Sequence, residues 1–500
     1  MTYHLLTGAT GLLGSYLLRD CLREGHRLAV LARPVKRASA RERIDAILSR
    51  CETELQMKLP RPVVLEGELT EENLGLDEAS LQWVSRHCQS VLHNAANLTF
   101  HSCGRDGEPW LSNCRGTQRV LELCKATGIR RFHQVSTAYV CGRREGRVLE
   151  TELDVGQQVG NDYEQSKIEA EKMVRAAQWI DPPTVYRPAI IVGDSQTGYT
   201  ATYHGFYVLV KLAHTLVSRM VLGSTAGRLL VQGLGLSGNE CKNLVPVDWV
   251  SRVITHIFSR REHHNRTYHL ASQRPPTLML IADVIQRAVE KYSDLADEKD
   301  TFVADSGWFL DSFRNQMEIY HAYWRDDPQF DDAQRAAAAP IPCPDMDASM
   351  LLRLAKYAIQ GNFGKSRERT ARPDFDVCSH MRGLDHNGDP LIPNLVGRHC
   401  LGLDVRGPGG GQWKLLLHNG RLTEAEDGLS PQCSAVFRLD TPTFHALGTH
   451  KLVASEAVQS GRVVIQGNGL ELAQLTAILQ ATAAHGPSVV PSANPSVELA

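Results

Sequence analysis

Five hundred residues exceed one ordinary domain, so two or three are expected. A hydrophobic content of 42% with 22% charged residues suits a globular protein with large cores, and a formal net charge of −2 gives no reason to expect nucleic acid or an anionic membrane surface as the main partner. Twelve cysteines lie between Cys21 and Cys433 without a Cys-x-x-Cys pair, so reduced, mostly buried thiols are expected and no metal site.

The chain opens on a short apolar run, residues 3–6, then Thr7-Gly8-Ala9-Thr10-Gly11-Leu12-Leu13-Gly14, then residues 15–22 with apolar positions at helical spacing. This reads as strand, glycine turn and helix, with no room for a signal peptide, and a cytoplasmic protein is expected. A second apolar strand, residues 27–32, follows about one βαβ unit later, and in that context residues 7–14 predict a dinucleotide site. Gly8 permits the turn, Gly11 lets backbone approach a pyrophosphate, and Gly14 lets helix and strand pack closely. The free N–H groups and positive end of the helix then face the phosphates. Where an NAD-specific site usually places Asp or Glu, this chain places Arg33, with Lys36 and Arg37 behind it. Guanidinium and ammonium groups suit a 2′-phosphate, so NADPH is the expected cofactor.

Residues 38–60 read as a helix and 63–69 as a third strand containing Glu68 and Leu69. A fourth strand, 90–96, ends in Asn94, Ala95 and Ala96, where the backbone can pass close to a cofactor. A fifth, 131–140, carries hydroxyls at Ser136 and Thr137. Tyr163 and Lys167 then stand one helical turn apart at the start of a helix reaching residue 177. A phenol near pKa 10 is a poor acid–base catalyst, and a nearby ammonium favours the phenolate and brings it towards a useful range. Tyr163 is then expected to give a proton to a carbonyl oxygen that Thr137 or Ser136 also holds. The second such pair, Tyr207 and Lys211, lies in an apolar helix with no hydroxyl-bearing strand before it, and reads as packing with a snorkelling stem. Residues 184–193 form a sixth strand containing Arg187 and Pro188, and 243–250 a turn that starts a helix with Asp248 as N-cap. The apolar window 206–223 is interrupted by Lys211, His214 and Arg219, so no transmembrane segment is expected. His269, in an apolar run, reads as a core residue.

The Gly-x-x-Gly-x-x-Gly spacing resembles the extended short-chain dehydrogenase/reductases. Residues 1–275 resemble the male-sterility-type fatty acyl-CoA reductases and carrier-protein thioester reductase domains, on residues 7–14, 71–76, 135–140 and 163–172. The resemblance implies an α/β fold with a Rossmann-type doubly wound parallel sheet, and a substrate lobe mainly at 195–245. It implies catalysis by Thr137, Tyr163 and Lys167, with Lys167 also on the nicotinamide ribose. It places the third strand's acid, here Glu68, near the adenine, gives Asn113 a structural role, and leads from Arg187-Pro188 into a loop past the nicotinamide.

Residues 276–370 read as a helical extension, with a helix at 281–292, an aromatic-rich helix at 308–324 and a linker at 336–344. Three strands near 401–406, 413–418 and 435–439 follow, separated by glycine-rich turns, then helical 443–449, a strand near 461–468 and a last helix to 484. Residues 371–484 resemble a sterol-carrier-protein-2 domain, an α+β lipid binder, on 440–452, 461–468 and 470–479. Phe437, Phe444, Leu447, Leu472, Leu475 and Leu479 could line its apolar tunnel or form an ordinary core, and 485–500 read as a disordered tail. Taken together, an NADPH-dependent reductase of a lipid-like carbonyl is expected, with a fatty acyl thioester on coenzyme A or an acyl-carrier protein reduced through a hemithioacetal to aldehyde or alcohol. The alternatives are an NADP-dependent sterol dehydrogenase and a lipid carrier that only senses NADP(H).

Overall fold

Tyr3–Thr7 forms strand β1 and Leu12–Arg23 helix α1, joined by the glycine turn. The structure, a computed structural model, describes residues 2–217, 235–292, 325–364, 376–407, 409–459, 462–467 and 470–484, without 101, 103, 385–389 and 394 and with 231 and 323. The expected helix at 308–324 (Tyr323 apart), the tail 485–500 and much of 218–234 in the substrate lobe lie outside the described residues.

Strand β2, Leu28–Ala32, is buried along its whole length, as expected for a strand covered on both faces. Helix α2, Ala40–Leu55, starts in a capping box in which Ser39 and Glu42 satisfy each other's backbone N–H groups. There follow β3 (Val63–Glu66), α3 (Glu78–His87), β4 (Cys88–His93), α4 (Thr117–Thr127), β5 (Arg131–Val135), β6 (Arg147–Val148), α5 (Asp162–Ala176) and β7 (Thr184–Pro188). Beyond them come β8 (Ile190–Val192), α6 (Phe206–Val217), β9 (Leu244–Pro246) and β10 (Thr267–Leu270). Seven strands form one sheet in the order β3-β2-β1-β4-β5-β7-β10, with every neighbouring pair parallel. The order reverses between β1 and β4, which places a ligand crevice at their carboxyl ends.

Several boundaries differ from expectation for local reasons. The fifth strand stops at Val135, because the Thr137 hydroxyl caps the turn Ala138–Cys141 by accepting the Tyr139 N–H at 3.2 Å. The sixth breaks after Pro188: Ala189 N–H still reaches Leu270 of the main sheet, whereas Ile190 N–H turns to Asn243, and β8 pairs with β9 in a separate two-stranded sheet. Asp248 does not cap its helix, Val247–Phe258, whose N-cap is Pro246; its carboxylate accepts the Ser195 N–H and hydroxyl, both at 2.8 Å.

The expected linker at 336–344 is not one. Helix Ala333–Ala338 packs with Ala338 and Ala339 buried, and the Glu150 carboxylate accepts the Gln334 and Arg335 N–H groups at its start. The preceding strand β11, Gln329–Phe330, pairs with β6. Helices α6, Leu278–Tyr292 and Ala348–Gln360 share a second core. The described residues up to 364 therefore form one compact unit, and those from 376 onward another.

In the second unit, β12 (Arg398–Arg406), β13 (Gly411–His418), β14 (Arg421–Asp427), β15 (Ala435–Asp440) and β16 (Val464–Gly467) form one sheet in the order β14-β13-β12-β15-β16. All pairs are antiparallel except β12 with β15. Asp440 caps helix Thr441–Gly448 by accepting the Thr443 N–H at 2.8 Å. Phe437, Phe444, Leu447, Leu475 and Leu479 share its core, while Leu472 is 52% exposed and does not.

Candidate active site

The first unit holds a cavity of 790 Å3 that runs along the carboxyl ends of the parallel strands. One end is the glycine turn: Thr7, Gly8, Thr10, Gly11, Leu12, Leu13 and Gly14 all line it. Gly8 has φ +71°, and a Cβ there would lie 2.7 Å from the Ala95 backbone; a Cβ on Gly14 would lie 1.9 Å from the Gly8 carbonyl oxygen. Both positions therefore demand glycine. Helix α1 begins at Gly11 with no side-chain cap, so its first-turn N–H groups face the cavity unsatisfied by protein side chains.

The turn is clamped to β4 through one histidine. The Thr117 hydroxyl donates to Asn113 O at 2.6 Å, so it must accept from His93 Nε2–H at 3.0 Å. His93 Nδ1 is then the acceptor for the Thr7 hydroxyl at 2.8 Å, and Thr7 Oγ1 accepts the N–H groups of Asn94 and Ala95, each at 3.2 Å. This chain works only with a neutral imidazole, and burial holds the His93 pKa down at about 3. Asn94 Nδ2 adds a bond to Gly8 O at 3.2 Å.

Arg33, Glu68, Leu69, Asn94, Ala95 and Ala96 line the same end. The Arg33 guanidinium touches Glu68 at 3.3 Å, and both side chains are well exposed, so the pair is weak and Arg33 remains open to a ligand. Two expected cofactor residues are not there. Lys36 is exposed in the turn after β2, outside the cavity. Arg187 is fully buried and turned away from the cavity that its neighbour Pro188 lines; it forms a two-pronged ion pair with Glu171 at 2.6 and 3.1 Å. Its Nη1 also donates to Glu152 O at 2.6 Å, so Arg187 ties β7 to α5.

At the other end stand Thr137, Tyr163 and Lys167, all lining the cavity. Asn161 caps α5 by accepting the Glu164 N–H at 2.9 Å, which fixes Tyr163 and Lys167 on the first two turns. Burial pushes the Tyr163 phenol above its usual range, and a hydrogen bond with Thr137 opposes that. Burial pushes the Lys167 ammonium down to about 8, and Nζ donates to Val135 O at 2.8 Å. Asn113 supports this end: its Nδ2 donates to Asn97 O at 3.0 Å and to Ser166 Oγ at 2.9 Å, and Ser166 donates to Tyr163 O.

These features decide the assignment together with the match of residues 6–254 to the family described as Male sterility protein. Residues 6–254 are a male-sterility-type extended short-chain dehydrogenase/reductase domain. Residues 380–480 match the SCP-2 sterol transfer family, and form an SCP-2 domain. The reductase domain is similar to the terminal R domain of the myxalamid PKS-NRPS pathway, at 25% identity and TM-score 0.56 over 73% of this chain and 92% of that one. A thiolation-reductase di-domain from an archaeal non-ribosomal peptide synthetase shares the fold, at 17% identity and TM-score 0.54 over 73% of this chain and 76% of that one. Aldehyde reductase lnaA of Aspergillus flavus is 29% identical over 60% of this chain, and nonribosomal peptide synthetase asaC of the same organism 25% over 54%. The matched stretches span 28% and 26% of those two relatives. The reductase domain is thus of the oxidoreductase type that takes a nicotinamide cofactor, and the glycine cradle, the uncapped helix and the cavity fit a dinucleotide.

Some of the wall has no signal in the sequence. Tyr323, from beyond the family match, lines the cavity, receives a hydrogen bond from Asn161 Nδ2 at 3.0 Å, and lies 5.5 Å from the Phe100 ring. Lys242 and Tyr139 line it as well. No group of metal-ligating side chains occurs among the described residues, and no described helix is long and apolar enough to cross a membrane.

Proposed function

We propose that the protein is an NADPH-dependent reductase of acyl thioesters, carried on coenzyme A or on an acyl-carrier protein, with an SCP-2 domain that holds a lipid-like acyl chain. The observation that carries this reading is that Thr137, Tyr163 and Lys167 line the same cavity as the glycine cradle, with Lys167 one turn after Tyr163 on α5. Arg33 at the end of β2 supports the 2′-phosphate form of the cofactor. When bound, the cofactor supplies the hydride.

The protein's own part is to hold the thioester carbonyl and protonate it. Thr137 and Tyr163 present two hydroxyls to one oxygen, and Tyr163, kept protonated by burial, passes its proton to that oxygen as negative charge develops there. Atoms balance: one hydride on carbon and one proton on oxygen give a hemithioacetal, whose C–S bond then breaks to release thiol and aldehyde. Lys167 holds the ribose hydroxyls and places its ammonium one turn from Tyr163 on the same helix. The apolar side chains of Phe206, Leu209, Leu278 and Ile281 line the substrate arm and exclude water from it. A reducing, cytoplasmic setting belongs to the same reading.

NADPH oxidation with a long-chain acyl-CoA, with the same chain on a carrier protein, and with a sterol ketone tests it. Turnover of either thioester is expected. Turnover of the sterol ketone alone moves the protein to the sterol dehydrogenase reading, which the SCP-2 match favours.

A further inference from the structure

The cavity wall carries a cation that the proposed chemistry does not use. Lys242 lines the same cavity as Tyr163, and its side chain is only 8% exposed. Its ammonium donates to Asp327 Oδ1 at 2.8 Å, and Asp327 is its one hydrogen-bond partner among the described residues. Asp327 is itself held: Oδ2 accepts the Tyr139 hydroxyl at 2.7 Å and the Asn243 N–H at 2.8 Å. Tyr139 also lines the cavity, and its own N–H is capped by Thr137. One turn of chain therefore joins the Lys242–Asp327 pair to the catalytic end.

The surroundings make this pair costly to keep for stability alone. Leu244, Leu278 and Ile281 line the same cavity, and a buried ion pair in an apolar setting is commonly no more stable than apolar residues of the same shape. An ammonium has three N–H donors and Asp327 takes one, so donors remain for a ligand in the cavity. The pair carries no net charge, and an anion would meet the Asp327 carboxylate as well. A neutral acceptor fits best.

We propose that Lys242 anchors the substrate by donating a hydrogen bond to a neutral oxygen, a carbonyl or a hydroxyl, remote from the reacting carbonyl. Asp327 and Tyr139 are positioning residues that orient the ammonium. Such an oxygen has two sources, an amide carbonyl of the pantetheine arm or an oxygen on the acyl chain. The inference rests on the thioester reading above.

The test uses the full chain and its Lys242→Met/Asp327→Asn variant, in which neither partner is left as an uncompensated buried charge. Affinities for two unreactive thioethers, S-hexyl-CoA and S-(3-hydroxyhexyl)-CoA, are measured by calorimetry with NADPH as a control. A loss of roughly tenfold is expected for at least one thioether, with NADPH affinity preserved. Equal loss for both locates the acceptor on the pantetheine arm; loss for the hydroxylated ligand alone locates it on the acyl chain. Equal affinity in parent and variant overturns the assignment while leaving the thioester reading intact. A parallel loss of NADPH affinity marks a structural pair and overturns it too. A parent protein that binds neither thioether overturns the thioester reading and this assignment with it.

Discussion

His93 and His133 are fully enclosed imidazoles, and burial holds both well below the usual histidine range, with His264, His4 and Arg131 adding to the effect on His133. In the unfolded chain they titrate near 6.5, so below that pH the unfolded state binds protons that the native state does not. Stability is therefore present above about pH 6.5 and lost as pH falls, by up to about 1.4 kcal/mol per pH unit for each imidazole. The melting temperature should drop between pH 7.5 and pH 5, measurable by scanning calorimetry, and a rise over that interval would contradict the clamp. Lys167 gives the opposite limb. With its pKa lowered to about 8, it loses its charge as pH rises through that value, so kcat/KM for reduction should fall above about pH 8. At Arg33, exchange to Ala should weaken NADPH binding by roughly 10- to 100-fold while sparing NADH, as judged by cofactor fluorescence. Residues that act through local spacing, Gly8, Gly14, Tyr163 and Lys167, are legible in the sequence. Arg187 is not, because its partner Glu171 lies sixteen positions away on another element and only the fold shows that their side chains meet.

At the scale of elements, the seven parallel strands follow from apolar runs at βαβ spacing, whereas their ends depend on contacts that spacing does not reveal. The run 184–193 looks continuous, yet Pro188 has no N–H to extend the ladder and the chain passes to a second sheet at Ile190. Strand β14 leaves no clear mark in the sequence because it is an edge strand with only Leu422 buried, so it shows charges rather than alternation. The alanine-rich stretch at 333–339 is helical because Glu150, far back in the chain, satisfies its first N–H groups. The tightest junction is that of β1 with α1. Gly14→Ala would place a methyl 1.9 Å from the Gly8 carbonyl oxygen, against backbone that has no room to yield. This exchange should abolish NADPH binding in a fluorescence titration and lower the melting temperature; an unchanged affinity would remove the glycine turn from the cofactor site.

On the scale of the whole molecule, a reductase domain and an SCP-2 domain share one chain. Phe437, Phe444, Leu447, Leu475 and Leu479 are readable as apolar positions, but whether they wall a tunnel or fill a core is decided by packing, and they share one buried cluster. On the proposed reading the SCP-2 domain holds the acyl chain, and its tether raises the local concentration of that chain at the reductase domain. The full chain should accordingly show a lower KM for long-chain than for short-chain thioesters, and deletion of residues 371–500 should narrow that gap without changing NADPH affinity. Tyr163 is the residue proposed to give the proton in the hydride transfer. The most direct measurement is single-turnover NADPH oxidation by the parent protein and by Tyr163→Phe with a long-chain acyl thioester. A rate loss on the order of 10²–10⁴ is expected, with NADPH affinity unchanged. A Tyr163→Phe protein that oxidises NADPH as fast as its parent would contradict that role.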